Sequence, residues 1–318
     1  MRIVKSLLIL LLFLSFVVPL GGNAVTVIPP ILEGIKAEPG KTYEGKFQIH
    51  NGTDAPHIYY FIAQNFGPSD EEGTPGIDSE EESQLGLASW IEYESAQLMV
   101  AVGETQTVRF KINVPSDAEP GGHYAAIFTS SSPPDETKKI GLGERTGVLL
   151  LVTVPGEIRE KSELVEFSFA AGKKLYNRPP VEFLLRIKND GNVHFKPLGD
   201  ITINGWGGEK AKIEANPKRG NILPQSIRAF HPVWKAADLK EGGFMAELKN
   251  EWNNFGFGRY NAHLEMVWGS NDEKIINNIK FWVFPWRVML MGLIILIIIL
   301  LLFRSYNKAI RRGVQKKK

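Results

Sequence analysis

The sequence predicts an all-β ectodomain of two tandem immunoglobulin-like β-sandwich domains, followed by one transmembrane helix. Three observations support this fold class. Apolar and polar residues alternate with a period of two through most of residues 25–284. Two sequence motifs recur at a nearly constant offset, and an uncharged apolar segment lies close to the C-terminus.

Residues 1–24 have the three parts of a secretory signal peptide. Arg2 and Lys5 precede the uncharged run 7–20, and small residues lead up to Ala24. The apolar run is shorter than a membrane span requires. We therefore expect cleavage after Ala24, with the mature chain starting at Val25.

The region from Val25 to Phe284 alternates as half-buried strands do. In residues 107–114, for example, Val108, Phe110 and Ile112 alternate with polar neighbours, and turn-forming sequences separate such runs. We expect no long amphipathic helix here. The spacing of strands and turns is typical of β-sandwiches.

An internal repeat predicts that the two domains are related. The motif ending in Asn51 recurs at Asn189, and the Gly-x-Tyr motif at Tyr124 recurs at Tyr260, with offsets of 138 and 136 residues. This places domain 1 at residues 25–156 and domain 2 at residues 157–284. Each tyrosine is expected to tie a corner of its sandwich to the backbone through its hydroxyl.

A transmembrane helix is predicted at residues 285–306. Its centre, 288–303, carries no charge, and Trp282, Phe284 and Trp286 form an aromatic belt on one side. The other flank, residues 307–318, is basic and is predicted to be a cytoplasmic tail. We expect a single-pass type I protein of the cell membrane whose ectodomain is extracellular.

Composition excludes several functions. The chain between the two end segments holds all 35 acidic residues but 27 of the 37 basic ones, so it lacks the basic surface that nucleic-acid binding requires. The absence of cysteine excludes disulfides, thiolate catalysis and cysteine-ligated metals. We expect no cofactor and no metal; the acidic segment Ser69–Ser83 is predicted to be a solvated loop, because it lacks the spacing of a calcium loop.

No catalytic motif is evident, and the chain is predicted not to be an enzyme. The histidines are scattered, and neither a nucleophile elbow nor a phosphate loop occurs. Glu92 and Glu94 project from the same side of a predicted strand, which leaves a carboxylate pair of the glycosidase type as an alternative.

The candidate binding residues lie beside glycine-rich turns. Trp206 lies between glycines, where a turn exposes its ring, whereas most of Trp234, Trp252 and Trp268 are expected in the core. The other candidates are His123 and Tyr124 in domain 1, and Asn192 and His194 in domain 2.

Several motifs resemble the WxL-interacting protein family of Gram-positive cell surfaces. They are Glu38-Pro39-Gly40, Phe47-x-Ile49-x-Asn51, Trp90, Val114-Pro115 and Gly121-Gly122-x-Tyr124-x-Ala126-Ile127-Phe128. The resemblance implies a first domain that binds peptidoglycan and a second that binds proteins, but it defines no binding residues. The loop Asn189–His194 departs from the family pattern.

These observations predict a membrane-anchored extracellular binding or scaffold protein that recognises a peptidoglycan-like envelope polymer or a partner surface protein. One alternative is a chaperone-like assembly factor that adds strands at an open sheet edge beside Tyr124. The second alternative is an envelope glycan hydrolase that uses Glu92 or Glu94.

Overall fold

The computed structural model describes residues 24–78, 86–133 and 146–315, with side chains described up to Lys308. The predicted signal peptide, part of the acidic segment and most of the loop after Ser130 lie outside these residues. The described chain is mostly β-structure and forms immunoglobulin-like sandwiches followed by a long apolar helix, which confirms the predicted fold class. It divides into two compact units: unit 1 holds residues up to Gly67 and Gly76–Ile158, and unit 2 holds Pro68–Pro75 and Arg159 onward.

The first ten strands pack as two sheets. They are β1 (Val25–Ile28), β2 (Ile31–Lys36), β3 (Thr42–Asn51), β4 (His57–Pro68), β5 (Pro75–Ile77), β6 (Ile91–Tyr93), β7 (Gln97–Val100), β8 (Thr105–Asn113), β9 (Gly121–Ser130) and β10 (Thr146–Val154). One sheet has the order β1-β3-β8-β6, and the other has the order β2-β10-β9-β4-β5 with β7 paired to β4. A 3-10 turn, Leu87–Trp90, precedes β6.

The apolar residues of the alternating strands form the core of unit 1. Phe47 and Phe110 point inward from β3 and β8, and Phe61 meets Phe47 edge to face at 5.9 Å between ring centroids. Burying each such ring stabilises the fold by about 1.5–3 kcal/mol, and a favourable aromatic pair adds about 0.5–1.5 kcal/mol.

Unit 2 contains nine further strands and two helices. They are β11 (Ser162–Phe169), β12 (Leu175–Tyr176), β13 (Val181–Asn189), β14 (Leu198–Gly205), β15 (Gly208–Glu214), β16 (Ser226–Phe230), β17 (Val233–Trp234), α1 (Phe244–Asn253), β18 (Gly258–Trp268), β19 (Glu273–Val283) and α2 (Trp286–Gln315). One sheet has the order β11-β13-β16, with β17 also paired to β13, and the other has the order β12-β19-β18-β14-β15. Phe169, Phe183 and Phe281 pack together between the sheets.

The repeated asparagines make the same hydrogen bonds in both units. The Asn51 amide donates to the carbonyls of Ala55 and Val100, and its Oδ1 accepts from the Thr53 N–H. The Asn189 amide donates to Val193 at 2.8 Å and Ile222 at 3.0 Å, and its Oδ1 accepts from the Gly191 N–H at 2.9 Å. Both side chains are fully buried. Each asparagine thus joins the turn that follows its own strand to a segment distant in the sequence through buried hydrogen bonds to the backbone.

The predicted tyrosine-corner hydrogen bond agrees better with Tyr260 in unit 2 than with Tyr124 in unit 1. Tyr260 is buried, and its hydroxyl is hydrogen-bonded by the backbone of Phe257 just upstream, as a corner requires. The Tyr124 hydroxyl instead lies over Gly122 of its own strand, where a Cβ atom would collide with it. Gly122 therefore leaves the space that the Tyr124 ring occupies.

The described part of the acidic segment is mostly exposed, as predicted, but it is held against unit 2 by specific contacts. Pro68–Pro75 belongs to unit 2, where Glu71 receives two hydrogen bonds from the Arg186 guanidinium at 2.6 and 2.7 Å. The Glu71 carbonyl also accepts from the Ala229 N–H, which covers the outer edge of β16. Residues 79–85, which hold the other half of the acidic cluster, lie outside the described residues. The described part of the chain contains no group of acidic or histidine residues arranged to hold a metal.

Two helices complete unit 2. The first, α1, is a ten-residue helix before β18 that was not predicted from the sequence. The second, α2, contains a candidate membrane span at Trp286–Lys308 with a mean hydropathy of 2.8, and none of its apolar window is buried. This agrees with the predicted span, although the helix continues past Tyr306 to Gln315.

We expect Asn189→Ala to lower the free energy of unfolding of unit 2 by about 2–4 kcal/mol, because it removes the amide donor to the buried Val193 carbonyl and the acceptor of the Gly191 N–H. Denaturant unfolding of the full chain in detergent, followed by tryptophan fluorescence, measures this, since Trp90 is the one tryptophan outside unit 2. Asn271→Ala, in an exposed turn, is the control and should change stability by less than about 0.5 kcal/mol. Equal effects of the two substitutions would contradict the proposed role of Asn189.

The Glu71–Arg186 ion pair predicts a pH dependence. Hydrogen bonding to Arg186 lowers the pKa of Glu71 below its ordinary value of 4.5, so the contribution is complete above that value and is lost as the pH falls through the lowered pKa. The difference in unfolding free energy between wild type and Glu71→Gln should therefore be largest near pH 7 and shrink towards about pH 3. Glu273→Gln, at an exposed position, should show no such trend; a pH-independent difference for Glu71→Gln would contradict the pairing.

Candidate functional site

Trp206 is exposed, as predicted. It lies at the tip of the β14–β15 hairpin, with 84% of its surface accessible. Gly207 and Gly208 have φ angles of +87° and +101°, which favour glycine and make the tight turn possible. The hairpin tip lies at the end of the sheet where β19 leads into α2, because Gly205 is next to Asn204, which pairs with Asn261 near the start of β18.

His123 and Tyr124 are partly buried in the middle of a sheet. β9 has β10 on one side and β4 on the other, so no open edge lies directly beside Tyr124, contrary to the strand-addition hypothesis. The His123 ring packs on Trp90 at 4.7 Å, and its Nε2 hydrogen-bonds with the Glu119 carbonyl at 2.9 Å. These contacts give His123 a packing role in unit 1.

Asn192 and His194 lie in the turn that follows β13. The Asn192 Oδ1 accepts from the Arg159 N–H at 2.7 Å, and the Asn192 N–H donates to the Arg159 carbonyl at 3.0 Å. Asn192 therefore holds the chain where it enters unit 2. This turn and the Trp206 hairpin lie at opposite ends of β14, so the structure does not bring the three predicted residues of unit 2 into one site.

The carboxylates of Glu92 and Glu94 line a charged cleft of about 710 Å³ on unit 1, where each interacts with a different side chain. Glu92 accepts a hydrogen bond from Asn113 at 2.9 Å, whereas Glu94 lies 3.9 Å from Arg109. The Glu94 and Arg109 side chains are both about two-thirds exposed. Such water-exposed groups lack the enclosed, low-dielectric surroundings that carboxylate catalysis uses. The geometry therefore gives no support to the hydrolase alternative.

The remaining tryptophans of unit 2 divide between the core and the surface. Trp268 is buried against Phe195, with ring centroids 4.9 Å apart, and Trp234 packs partly buried against Tyr260. Trp252 was expected with the core but is 69% exposed, because it lies on the outward side of α1.

A polar surface on unit 2, made mostly of uncharged side chains, was not predicted. We name the following set the polar face: Thr202, Asn204, Asn261, His263, Asn278 and Lys280. In the sheet register, Asn204 on β14 lies opposite Asn261 on β18, and Asn261 lies opposite Lys280 on β19. Thr202, His263 and Asn278 form the next row across the same three strands. Their intervening neighbours, such as Ile203, Ala262 and Phe281, are buried, so the polar face is the solvent side of three central strands.

The polar face has oriented hydrogen-bonding groups at its centre. The Asn278 Oδ1 accepts from the Asn261 amide at 3.2 Å and lies 2.9 Å from the His263 Nδ1. The Asn261 Oδ1 is buried and has no hydrogen-bond partner within the described chain. The only signal in the sequence was the alternation within residues 260–264 and 277–281, which does not reveal that the strands are neighbours.

The end strands of the sheets carry features that oppose pairing with another chain. β2 has a register shift against β10 near Gly34, and β11 has one against β13. β15 carries two lysines and two glutamates, and β12 has only two residues. Bulges, charges and short length are the usual protections of edge strands.

Comparison with protein-family models and with curated proteins gave no match. Among solved structures, the chain is similar to the class 5 fimbriae chaperone CfaA, with 12% identity and a TM-score of 0.37 over 80% of this chain and 98% of that chain. It is also similar to the E. coli chaperone DraB, with 12% identity and a TM-score of 0.34 over 82% and 98% of the two chains. The CsuC–CsuE chaperone–tip adhesion subunit pre-assembly complex of Acinetobacter baumannii matches at 11% identity and a TM-score of 0.34, over 80% and 97%. These values are too low to assign a family or a function, and the resemblance to the WxL-interacting proteins stays a prediction.

Proposed function

We propose that this chain is a non-enzymatic, membrane-anchored protein that binds a glycan polymer of the cell envelope through the polar face of unit 2. The observation that carries the proposal is the arrangement of four neutral amide and hydroxyl side chains with His263 and Lys280 on three adjacent strands. The basic residues that follow the apolar part of α2 support an orientation with the tail in the cytoplasm and unit 2 outside.

The chemistry of the polar face suits sugars better than other polymers. Amides present donors and acceptors in one plane, which matches the hydroxyl groups of a sugar ring. Neighbouring strands are about 4.8 Å apart, so three strands and two rows offer a surface of about 10 by 7 Å, comparable with one or two sugar rings. One positive charge, Lys280, adds attraction for an anionic glycan.

An open surface of this kind binds weakly at each contact, because it excludes little water from a ligand. A polymer compensates, since many anchored copies contact one strand of glycan at once. The rigid β-strands keep the side chains in place without a conformational change on binding.

A second candidate function is capture of an extended peptide by strand addition at β2. β2 is an end strand within the described residues, and its register shift against β10 falls between Leu32 and Ile35, beyond Ile31. The Ile31 side chain is 42% exposed, so pairing there stays open. The open edge therefore lies two strands away from β9, where the hypothesis placed it beside Tyr124.

Strand addition predicts that Ile31→Lys weakens capture of unfolded surface proteins, because a charge on an edge strand opposes pairing. Detergent-solubilised full chain can be assayed for co-purification of such proteins in the wild-type and Ile31→Lys forms. Leu175→Lys, at another exposed apolar position, is the control. If Ile31→Lys captures as much protein as wild type, β2 is not the binding edge.

The main proposal is tested by sedimentation of the solubilised full chain with purified peptidoglycan. The double variant Asn278→Ala/Lys280→Ala removes two exposed groups of the polar face and should weaken retention about tenfold, which corresponds to about 1.4 kcal/mol. The matched control, Asn271→Ala/Lys218→Ala, removes the same residue types from exposed turns elsewhere on unit 2 and should bind as wild type does. Unchanged retention of the first variant, or an equal loss in both, would overturn the assignment.

A further inference from the structure

α1 exposes its apolar side. At about 100° per residue, Phe244, Met245, Leu248 and Trp252 fall within about 100° of the helix circumference. Phe244 is 45% exposed, and Met245 and Trp252 are each 69% exposed. The helix therefore presents a continuous apolar stripe to its surroundings.

The side of α1 that adjoins this stripe, with Glu247, Asn250 and Glu251, is polar and largely buried. Asn250 and Glu251 have 1% and 0% of their surfaces accessible. The Asn250 amide closes a pair of hydrogen bonds with the backbone of Lys240, each 2.9 Å long. Glu247, on the same side, pairs with Arg178 at 3.1 Å.

This arrangement is the reverse of a helix on a water-soluble domain, which turns its apolar stripe inward and its charges outward. Exposing a stripe of this size to water costs free energy, at about 25 cal/mol per Å² of apolar surface. Such a surface marks contact with a membrane or another molecule.

Glu251 fixes the height of α1 relative to the membrane span. Its carboxylate accepts from the backbone N–H groups of Arg287 at 2.9 Å and Val288 at 3.2 Å, in the first turn of α2. The same carboxylate accepts from the Arg287 guanidinium at 2.7 Å. The Phe244 ring lies 6.2 Å from the Trp286 ring, so the stripe is continuous with the residue that begins the apolar helix.

Further aromatic side chains lie at the same level. Phe255 and Phe257, in the segment between α1 and β18, are 58% and 42% exposed, and the Phe257 ring lies 6.0 Å from that of Phe284. We name Phe244, Met245, Trp252, Phe255 and Phe257 the juxtamembrane collar. Aromatic residues at the start of a span are typical of the membrane interface.

We propose that the juxtamembrane collar inserts into the interfacial layer of the outer leaflet, so that unit 2 lies against the lipid surface in a fixed orientation. The inference rests on the part of the proposed function in which α2 spans the membrane, but not on glycan binding. We assign lipid as the partner of the juxtamembrane collar because the collar is continuous with the span and is held at the level where the span enters the bilayer. Amphipathic helices bind the interface in this way, with the apolar side buried in the boundary between headgroups and acyl chains.

The test uses single cysteines, which the cysteine-free chain allows without further substitutions. Full-length Trp252→Cys carries a nitroxide label and is reconstituted without other proteins into vesicles of phosphatidylcholine and phosphatidylglycerol. Collision of the label with oxygen, which concentrates in lipid, is compared with collision with a water-soluble nickel chelate. Asn271→Cys, in the β18–β19 turn at the far end of unit 2, is the aqueous control, and Leu296→Cys reports the span itself.

We expect the ratio of oxygen to nickel accessibility at position 252 to be several-fold higher than at position 271 and below that at position 296. Met245→Cys should give the same result and serves if Trp252→Cys fails to fold. A ratio at 252 equal to that at 271, with position 296 in lipid, overturns the collar and leaves the anchor intact. Low accessibility to both reagents at 252 shows that protein, such as a second copy, covers the stripe, and it also overturns the proposal. An aqueous value at position 296 contradicts the anchor itself.

Discussion

The buried carboxylate of Glu251 is the interaction on which the arrangement of unit 2 at the membrane depends. A buried charge costs several kcal/mol unless it is paired and hydrogen-bonded. Glu251 receives two backbone N–H groups and one guanidinium group, all from the first turn of α2. The N-terminus of a helix also favours a negative charge, because its first N–H groups have no partners within the helix. The carboxylate thus joins α1 to α2 by satisfying donors that would otherwise stay open.

Two consequences follow from this junction. α1 turns its carboxylate side towards α2, and the apolar stripe that adjoins this side stays exposed next to the start of α2 as the juxtamembrane collar. In addition, only Phe284 and Pro285 separate β19 from α2, so the sheet that bears the polar face is joined to the span without a flexible linker. Under the proposed function, this junction would keep the polar face in a constant direction relative to the bilayer, which suits the capture of a polymer that lies at a given height above the membrane.

The fold was largely predictable because its signals are local. The alternation of apolar and polar residues shows which face of each strand is buried. A long apolar segment next to basic residues is typical of a transmembrane helix. The recurrence of the Asn51 motif at Asn189 was visible in the sequence. Only the three-dimensional structure shows the reason for it, which is that each asparagine hydrogen-bonds to buried backbone carbonyls. α1 was missed because its amphipathicity is reversed: its buried side is formed by Asn250 and Glu251, which read as solvent-facing residues. The polar face was missed because register between strands is set by non-local pairing, and single residues such as Trp206 and His194 do not reveal which strand ends are neighbours.

The most direct test of this account is hydrogen–deuterium exchange on the full chain in lipid nanodiscs, comparing wild type with Glu251→Ala. If Glu251 joins the two helices, the amides of α1 and those of Arg287 and Val288 exchange slowly in wild type. Both sets then become fast in the variant, while the amides of the β18–β19 pair stay protected. Rapid exchange of α1 in wild type, or no change on substitution of Glu251, would contradict the claim that this carboxylate holds unit 2 to its membrane anchor.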